Sequence, residues 1–139
     1  MTETTLIEQL RSWRRHLHQN PELGHQETET AAFVVDKLSS FGFNDIKTGI
    51  GETGVVASLR LGSSDRTIAL RADMDCLPIQ ETTNLAYSSK KPNLMHACGH
   101  DGHTTMLLGA AARLASEGGF DGTVHFVFQP AEEWGQGMQ

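Results

Sequence analysis

The amino-acid sequence predicts an α/β layered fold, in which helices cover a sheet of short strands. Apolar residues recur at helical spacing in two stretches before residue 42 and in a third stretch after residue 101. Short β-branched and aromatic runs lie between these stretches and after the last of them. The chain has 139 residues, of which 38% are hydrophobic and 20% are charged. This composition is typical of one globular domain or part of one.

Three helices are predicted from the apolar spacing. The first covers Thr5 to about Gln19, and the second covers about Glu27 to Ser40. The third covers roughly Gly102 to Ser116, with Asp101 placed to cap its first turn. These helices provide the apolar faces that a sheet needs for a shared core.

Four strands are predicted, over residues 45–48, 55–61, 67–72 and 123–129. The turn-forming residues 62–65 separate the second and third of these strands. We therefore expect those two strands to form a hairpin-like pair. In the last strand Val124, Phe126 and Phe128 share one face, which indicates that this face is buried.

Residues Gly49–Gly54 match the dinucleotide-binding pattern Gly-x-Gly-x-x-Gly. That pattern binds pyrophosphate only where a helix begins after the third glycine. Here the β-branched run Val55–Leu59 follows instead. The glycines therefore indicate a turn between strands and not a nucleotide site.

Net charge and composition exclude several classes of function. The formal charge of −6 leaves no basic stripe that could neutralise nucleic-acid phosphates. No apolar run approaches the roughly 20 residues that a membrane span needs. The N-terminus lacks the features of a signal peptide, and two distant cysteines do not suggest a disulfide framework. We therefore expect a cytoplasmic protein with neither a nucleic-acid nor a membrane partner.

The segment from Met95 to Thr105 concentrates metal-binding residue types. Cys98, His100 and His103 lie within it, separated by glycines and small residues. Thiolate and imidazole are favoured donors for zinc and similar metals. The spacing alone fits either a closed structural site or an open catalytic one. The remaining histidines carry weaker signals, and those of the first helix are interpreted as surface or packing residues.

Two pairs of acids follow predicted strands. Asp73 and Asp75 follow the third strand, and Glu132 and Glu133 follow the fourth. Ligands bind beyond the carboxyl ends of strands in α/β sheets, so we expect these acids to meet the Cys98–His103 segment there. A metal lowers the pKa of bound water toward ~7, and a neighbouring carboxylate can move the proton. The pattern predicts metal-assisted hydrolysis of an amide or similar acyl bond.

Four segments, in the same order along the chain, resemble the aminoacylase and hippurate-hydrolase family of metallopeptidases. They are residues 15–23, 70–75, 95–103 and 128–133, and the most specific read His-Ala-Cys-Gly-His-Asp-Gly-His and Gln-Pro-Ala-Glu-Glu. The similar branch includes bacterial N-acyl-amino-acid amidohydrolases and plant auxin-conjugate hydrolases. The resemblance implies a three-layer αβα-type catalytic domain that binds two divalent metals. Residues 1–139 would form its N-terminal part, without the rest of that domain or the lid or dimerisation domain.

The resemblance also assigns roles to individual residues. Cys98, His100 and Glu133 would bind metal, and Glu132 would act as the general base. Asp75 would contact a metal-ligand residue and orient it, without binding the metal itself. Asp73 occupies a position where related branches carry a ligand histidine, so its role stays open. His103 is more consistent with a supporting or helix-start position than with direct ligation.

The resemblance implies hydrolysis of hippurate-like or N-acetyl amino acids by the full-length protein, through a metal-bound hydroxide. The metals would be zinc or manganese, with cobalt or nickel as alternatives, and the protein could form a homodimer or higher oligomer. The chain offers three firm donors for two ions, so we expect it to be inactive alone. Two alternatives stay open at this point. One is a hydrolase that uses Cys98 as its nucleophile, and the other is a non-catalytic domain stabilised by metal.

Overall fold

The computed structural model describes residues 3–138 and contains three helices and a four-stranded sheet in those residues. The helices are α1 (Glu3–Gln19), α2 (Thr28–Ser40) and α3 (His100–Glu117). The strands are β1 (Ile46–Ile50), β2 (Gly54–Leu61), β3 (Thr67–Asp73) and β4 (Gly122–Gln129), and a short 3-10 turn covers Glu132–Trp134. The predicted α/β class is confirmed. None of the described helices is long and apolar enough to cross a membrane.

The sheet order is β1-β2-β4-β3, so the predicted hairpin between β2 and β3 is wrong. β4 lies between these strands, antiparallel to β2 and parallel to β3. The 62–65 turn is held by Asp121, whose Oδ1 accepts hydrogen bonds from the backbone N–H groups of Ser63 and Ser64, both at 2.8 Å. The turn therefore anchors to the residue before β4. Turn-forming residues predict where a chain reverses but not which strand becomes its neighbour.

β4 is an interior strand of the sheet, and its inward face is apolar. Phe126 and Phe128 are almost completely buried, in one core cluster with Leu38 of α2 and Leu108 of α3. The glycine segment between β1 and β2 forms a turn, as predicted, and the two strands pair antiparallel. β3 returns through α3 to β4, which is the crossover connection that parallel strands require.

The helices described here cover one face of the sheet. α2 packs on β1 and β2, α3 packs on β3 and β4, and α1 packs on α3. Gly109 of α3 allows this last contact, because a Cβ there would lie 2.8 Å from Cδ2 of Leu10. The opposite face is partly open, and Ala69 and Arg71 of β3 are exposed on it. Residues 3–138 thus supply two of the three layers expected of the αβα arrangement.

The parallel pairing of β3 and β4 positions the acidic residues. Both strands end at the same edge of the sheet, where Asp73 is paired with Gln129. Thr104 of α3 donates a hydrogen bond from Oγ1 to the carbonyl oxygen of Asp73 at 2.8 Å, so the helix begins beside this edge. The polar residues that follow β3 and β4 therefore meet the N-terminal turn of α3.

Candidate metal centre

His100 lies at the middle of the polar cluster, in the first turn of α3 and 2% exposed. Its Nδ1 is 2.9 Å from the carbonyl oxygen and 3.1 Å from Oδ1 of Asp75. Both of these oxygens are acceptors, so Nδ1 carries the proton and Nε2 is left with a free lone pair. Asp75 therefore orients the ring in the way that supporting carboxylates orient ligand histidines.

Three carboxylates surround Nε2 of His100 without bonding to it. Oδ2 of Asp73, Oε2 of Glu132 and Oε1 of Glu133 lie 3.6, 3.6 and 3.7 Å from Nε2. These separations are too long for hydrogen bonds. They leave a space bordered by one imidazole nitrogen and several carboxylate oxygens, which suits a cation.

Cys98 extends this donor set. The ligand atoms of Cys98, His100 and Glu133 all lie within 4.8 Å of one another. Oε1 of Glu133 is buried and has no hydrogen-bond partner within residues 3–138. A buried carboxylate oxygen without a partner is costly, and a divalent ion would satisfy it. Sulfur, nitrogen and oxygen donors together fit zinc and related metals.

Asp73 and His103 form a second group beside the first. Asp73, His100 and His103 also bring their ligand atoms within 4.8 Å of one another. Nδ1 of His103 is 2.7 Å from Oδ1 of Asp73, and Nη1 of Arg71 is 3.0 Å from Oδ2. Asp73 is thus already paired on both oxygens. This arrangement fits a supporting role for Asp73 and His103 better than a primary ligand role.

The local charges favour a bound cation. Burial raises the pKa of Asp75, but hydrogen bonds from His100 and from the backbone N–H of Glu133 outweigh it and hold the pKa below its usual value. Burial lowers the pKa of His100, but the hydrogen bond to Asp75 and the charge of Asp73 raise it overall. Several carboxylates thus lie around one imidazole nitrogen, and a divalent ion would balance their negative charge.

The same charges disfavour Cys98 as a nucleophile. The pKa of its thiol is raised, first by a hydrogen bond with Glu133 and further by burial and by the charges of Glu133, Glu132 and Asp73. A nucleophilic cysteine needs a lowered pKa. The other thiol, Cys76, is buried as predicted, and burial together with Asp75 raises its pKa to about 12. A neighbouring metal ion would reverse the effect on Cys98 and hold it as a thiolate.

The start of α3 differs from the prediction. The helix begins at His100, and its N-cap is Gly99 with a φ of 88°, so Asp101 is not the cap. Oδ2 of Asp101 instead lies 2.7 Å from Nδ1 of His18 and 2.9 Å from Nε of Arg14. Gly99 tolerates the left-handed conformation that turns the chain between Cys98 and His100. This turn allows both side chains to face the same space.

His18 is not a surface histidine. It is 3% exposed, and its Nε2 lies 3.2 Å from Oε1 of Glu81, so it joins Asp101 of α3 to the loop that precedes Cys98. His16, in contrast, is exposed and stacks on Phe33. Neither belongs to the metal-binding groups found within residues 3–138, and of the two predicted alternatives His16 is a surface residue and His18 a packing residue.

The turn after β4 aims Glu132 and Glu133 toward His100. Ala131 before them is buried and left-handed, with a φ of 49°. The backbone N–H of Glu133 donates to Oδ2 of Asp75 at 3.0 Å, and that of Ala131 donates to Oε1 of Glu27 at 2.8 Å. No sequence pattern distinguishes Glu27 from other acidic residues. Its position directly before a helix looked ordinary, and its partner lies 104 residues away.

A family model described as "Peptidase family M20/M25/M40" matches residues 69–139, which hold all the donor residues named above. The chain belongs to this peptidase family. This agrees with the resemblance drawn from the motifs, and it confirms membership of a family of hydrolases.

Named M20 relatives support the same branch. A hippurate hydrolase of Campylobacter jejuni is 58% identical over 120 residues, which cover 86% of this chain and 31% of that protein. An N-acyl-L-amino acid amidohydrolase of Geobacillus stearothermophilus is 49% identical over 123 residues, covering 88% and 33% of the two chains. The chain therefore spans about a third of the length of these curated relatives.

A solved M20 structure shares the fold. The YXEP protein of Bacillus subtilis, described as a dinuclear metal binding peptidase, is 43% identical with a TM-score of 0.88. The match covers 95% of this chain and 37% of that one. The sheet and helices described here thus form part of an M20 peptidase fold.

Proposed function

We propose that the whole protein to which this chain belongs hydrolyses the amide bond of N-acyl amino acids with two divalent metal ions. The observation that carries the proposal is the convergence of Asp73, Glu132 and Glu133 on Nε2 of His100, at 3.6 to 3.7 Å. The named relatives supply the substrate class, since they include a hippurate hydrolase and an N-acyl-L-amino acid amidohydrolase.

In this proposal Cys98, His100 and Glu133 are the metal ligands. Asp75 holds the proton of Nδ1 and so presents Nε2 of His100 to the metal. Asp73 and His103 support the ligands from beside them. Zinc and manganese suit the mixed sulfur, nitrogen and oxygen donors, and cobalt or nickel could replace them.

Bound metal would polarise the acyl carbonyl of the substrate and lower the pKa of a water molecule. Glu132 is the proposed general base, because its side chain is 38% exposed and its Oε2 lies beside Nε2 of His100. Glu132 accepts a proton from the attacking water and then donates it to the leaving amine nitrogen. A C–O bond forms and the C–N bond breaks, which gives a carboxylic acid and an amino acid.

We further propose that residues 1–139 form the N-terminal part of the catalytic domain. Two four-coordinate ions need about eight donors, water included, and the three proposed ligands Cys98, His100 and Glu133 supply only part of that number. The remaining ligands, the rest of the domain and a lid or dimerisation domain would come from the other two thirds of the family length. The chain alone would therefore not turn over substrate.

The cytoplasm is the proposed compartment. Cys98 is an exposed free thiol beside the other donors. Such a thiol stays reduced, and available to a metal, in a compartment that keeps thiols reduced.

The test is hydrolysis of N-benzoylglycine and N-acetyl amino acids by the whole protein, loaded with zinc or manganese. Glu132→Gln should lower kcat by about 10²- to 10⁴-fold, because the amide cannot accept the proton, while the metal content stays unchanged. Glu117→Gln, an exposed substitution on α3, is the matched control and should leave kcat unchanged. Full activity in Glu132→Gln, or after exhaustive chelation, would contradict the proposal.

A further inference from the structure

Glu27 carries a buried carboxylate that its own helix does not use. It is the N-cap residue of α2 and is 0% exposed, yet its side chain makes no capping hydrogen bond. Glu22 caps the helix instead, by accepting hydrogen bonds from the backbone N–H groups of Glu29 at 3.0 Å and Thr30 at 2.6 Å. Burying a carboxylate is costly unless it is hydrogen-bonded, so the partners of Glu27 indicate its purpose.

Those partners lie at the turn that leads into the metal centre. Oε1 of Glu27 accepts a hydrogen bond from the backbone N–H of Ala131 at 2.8 Å. Oε2 accepts one from Oγ1 of Thr53 at 2.6 Å, which fixes the carboxylate plane. Ala131 directly precedes Glu132 and Glu133.

Ala131 adopts a conformation that needs support. Its φ of 49° and ψ of 40° lie in the left-handed region, which an alanine rarely adopts. The backbone direction at this residue decides where the next two side chains point. A strained turn persists only where its surroundings hold it, and the charge-assisted hydrogen bond from Ala131 to Glu27 is of the strong kind.

We propose that Glu27 is a positioning residue for Glu132 and Glu133. It fixes the turn at the N–H of Ala131, while Asp75 fixes it at the N–H of Glu133, 3.0 Å from Oδ2. The inference rests on the proposed function only for the roles of Glu132 and Glu133. The hydrogen bond between Glu27 and Ala131 can be tested without any activity.

The first experiment compares Glu27→Leu with Glu27→Gln in the whole protein. Leucine removes both acceptors, so exchange of the Ala131 amide proton in the metal-free protein should rise by at least about tenfold, measured by NMR. In the metal-loaded protein kcat should fall by about 10- to 100-fold with little change in KM, because the general base is misplaced. Glu27→Gln should return both the exchange rate of the Ala131 amide and kcat to near the wild-type values. Its oxygen can accept from Ala131, and its NH₂ group can donate to Oγ1 of Thr53.

A second experiment uses two smaller substitutions, in case Glu27→Leu does not fold. Thr53→Val and Thr30→Val each remove one hydroxyl that donates to a buried carboxylate at 2.6 Å, that of Glu27 in the first and that of Glu22 in the second. Thr53→Val should raise Ala131 exchange and lower kcat by about two- to fivefold, since the carboxylate of Glu27 loses its anchor. Thr30→Val should lower thermal stability to a similar extent without changing either quantity.

Two results would overturn the proposal. One is unchanged Ala131 exchange in folded Glu27→Leu or in Thr53→Val. The other is that Thr30→Val changes Ala131 exchange and kcat as much as Thr53→Val does. Glu27 would then contribute only to the stability of the fold. If no variant hydrolyses N-acyl amino acids, the proposed function fails, and the exchange of Ala131 in metal-free protein still decides the role of Glu27.

Discussion

The side chain of Cys98 shows how one residue depends on a metal for its chemical state. Within residues 3–138 its nearest charged neighbours are carboxylates, which raise the pKa of the thiol. A cation at Nε2 of His100 would lower that pKa and make the thiolate a ligand. Cys98 is therefore a poor nucleophile by itself and a good ligand beside a metal.

Cys98→Ser should lower the zinc content of the whole protein and its activity together, because a neutral hydroxyl is a poorer zinc ligand than a thiolate. Metal analysis and kcat, measured over a zinc titration, test this. Excess zinc should recover part of the activity. A nucleophile would behave differently, since its loss would abolish activity at full metal content.

The residues that the sequence could predict are those that belong to local patterns. Cys98 and His100 lie two positions apart, and Glu132 and Glu133 are adjacent, so their chemistry is readable from the chain. Glu27 and His18 act through partners 104 and 83 residues away, and no local spacing indicates those partners. Such contacts depend on packing, which spacing alone does not encode.

At the scale of elements, α1 and α3 are joined by a buried polar contact beside the metal centre. Asp101 of α3 binds Arg14 and His18 of α1, and His18 also contacts Glu81. A buried hydrogen-bonded charge is costly to disturb on one side only. The contact of Asp101 with Arg14 and His18 therefore holds the first turn of α3, which includes His100, against α1.

Asp101→Asn should destabilise the whole protein by roughly 1–3 kcal/mol, because the partners of the carboxylate lose a charged acceptor. Urea unfolding of the metal-free protein measures this. Glu117→Gln breaks the exposed ion pair with Arg113 on the same helix and should cost less than about 0.5 kcal/mol. Equal losses in the free energy of unfolding for the two substitutions would show that the buried contact stabilises the protein no more than the exposed ion pair does.

The predicted element boundaries agree with the structure to within a few residues, whereas the predicted pairing of β2 with β3 is wrong. The helix and strand ranges follow periodicity, which local sequence carries. β4 lies between β2 and β3, with Phe126 and Phe128 in the shared core, and this placement is a property of the assembled core. The start of α3 at His100 was missed because Gly99, and not Asp101, makes the turn.

At the scale of the whole molecule, the metal centre ties distant parts of the chain together. Its donors come from the loop before α3, from α3 itself and from the turn after β4. A ligand that binds only the folded state stabilises it by RT ln(1 + [L]/Kd), which is about 2.7 kcal/mol at one hundred times Kd. Metal should therefore contribute to stability as well as to chemistry.

Removal of metal with EDTA should lower the Tm of the whole protein, and added zinc or manganese should restore it. Glu133→Gln should lose most of this metal-dependent rise, because Glu133 supplies a buried oxygen to the site. Glu117→Gln should keep it. Scanning calorimetry with and without metal tests the expectation, and a metal-independent Tm in the wild-type protein would contradict it.

The central place of β4 has a consequence for synthesis on the ribosome. β2 pairs with β1 on one edge, but its other edge, and the only paired edge of β3 in the described residues, face β4, the last strand described. Until residues 122–129 leave the exit tunnel, both strands carry an open edge, and such edges recruit other chains. Before β4 is synthesised, the nascent chain therefore exposes unpaired edges of β2 and β3 that chaperones can bind. These edges are covered when β4 pairs with both strands.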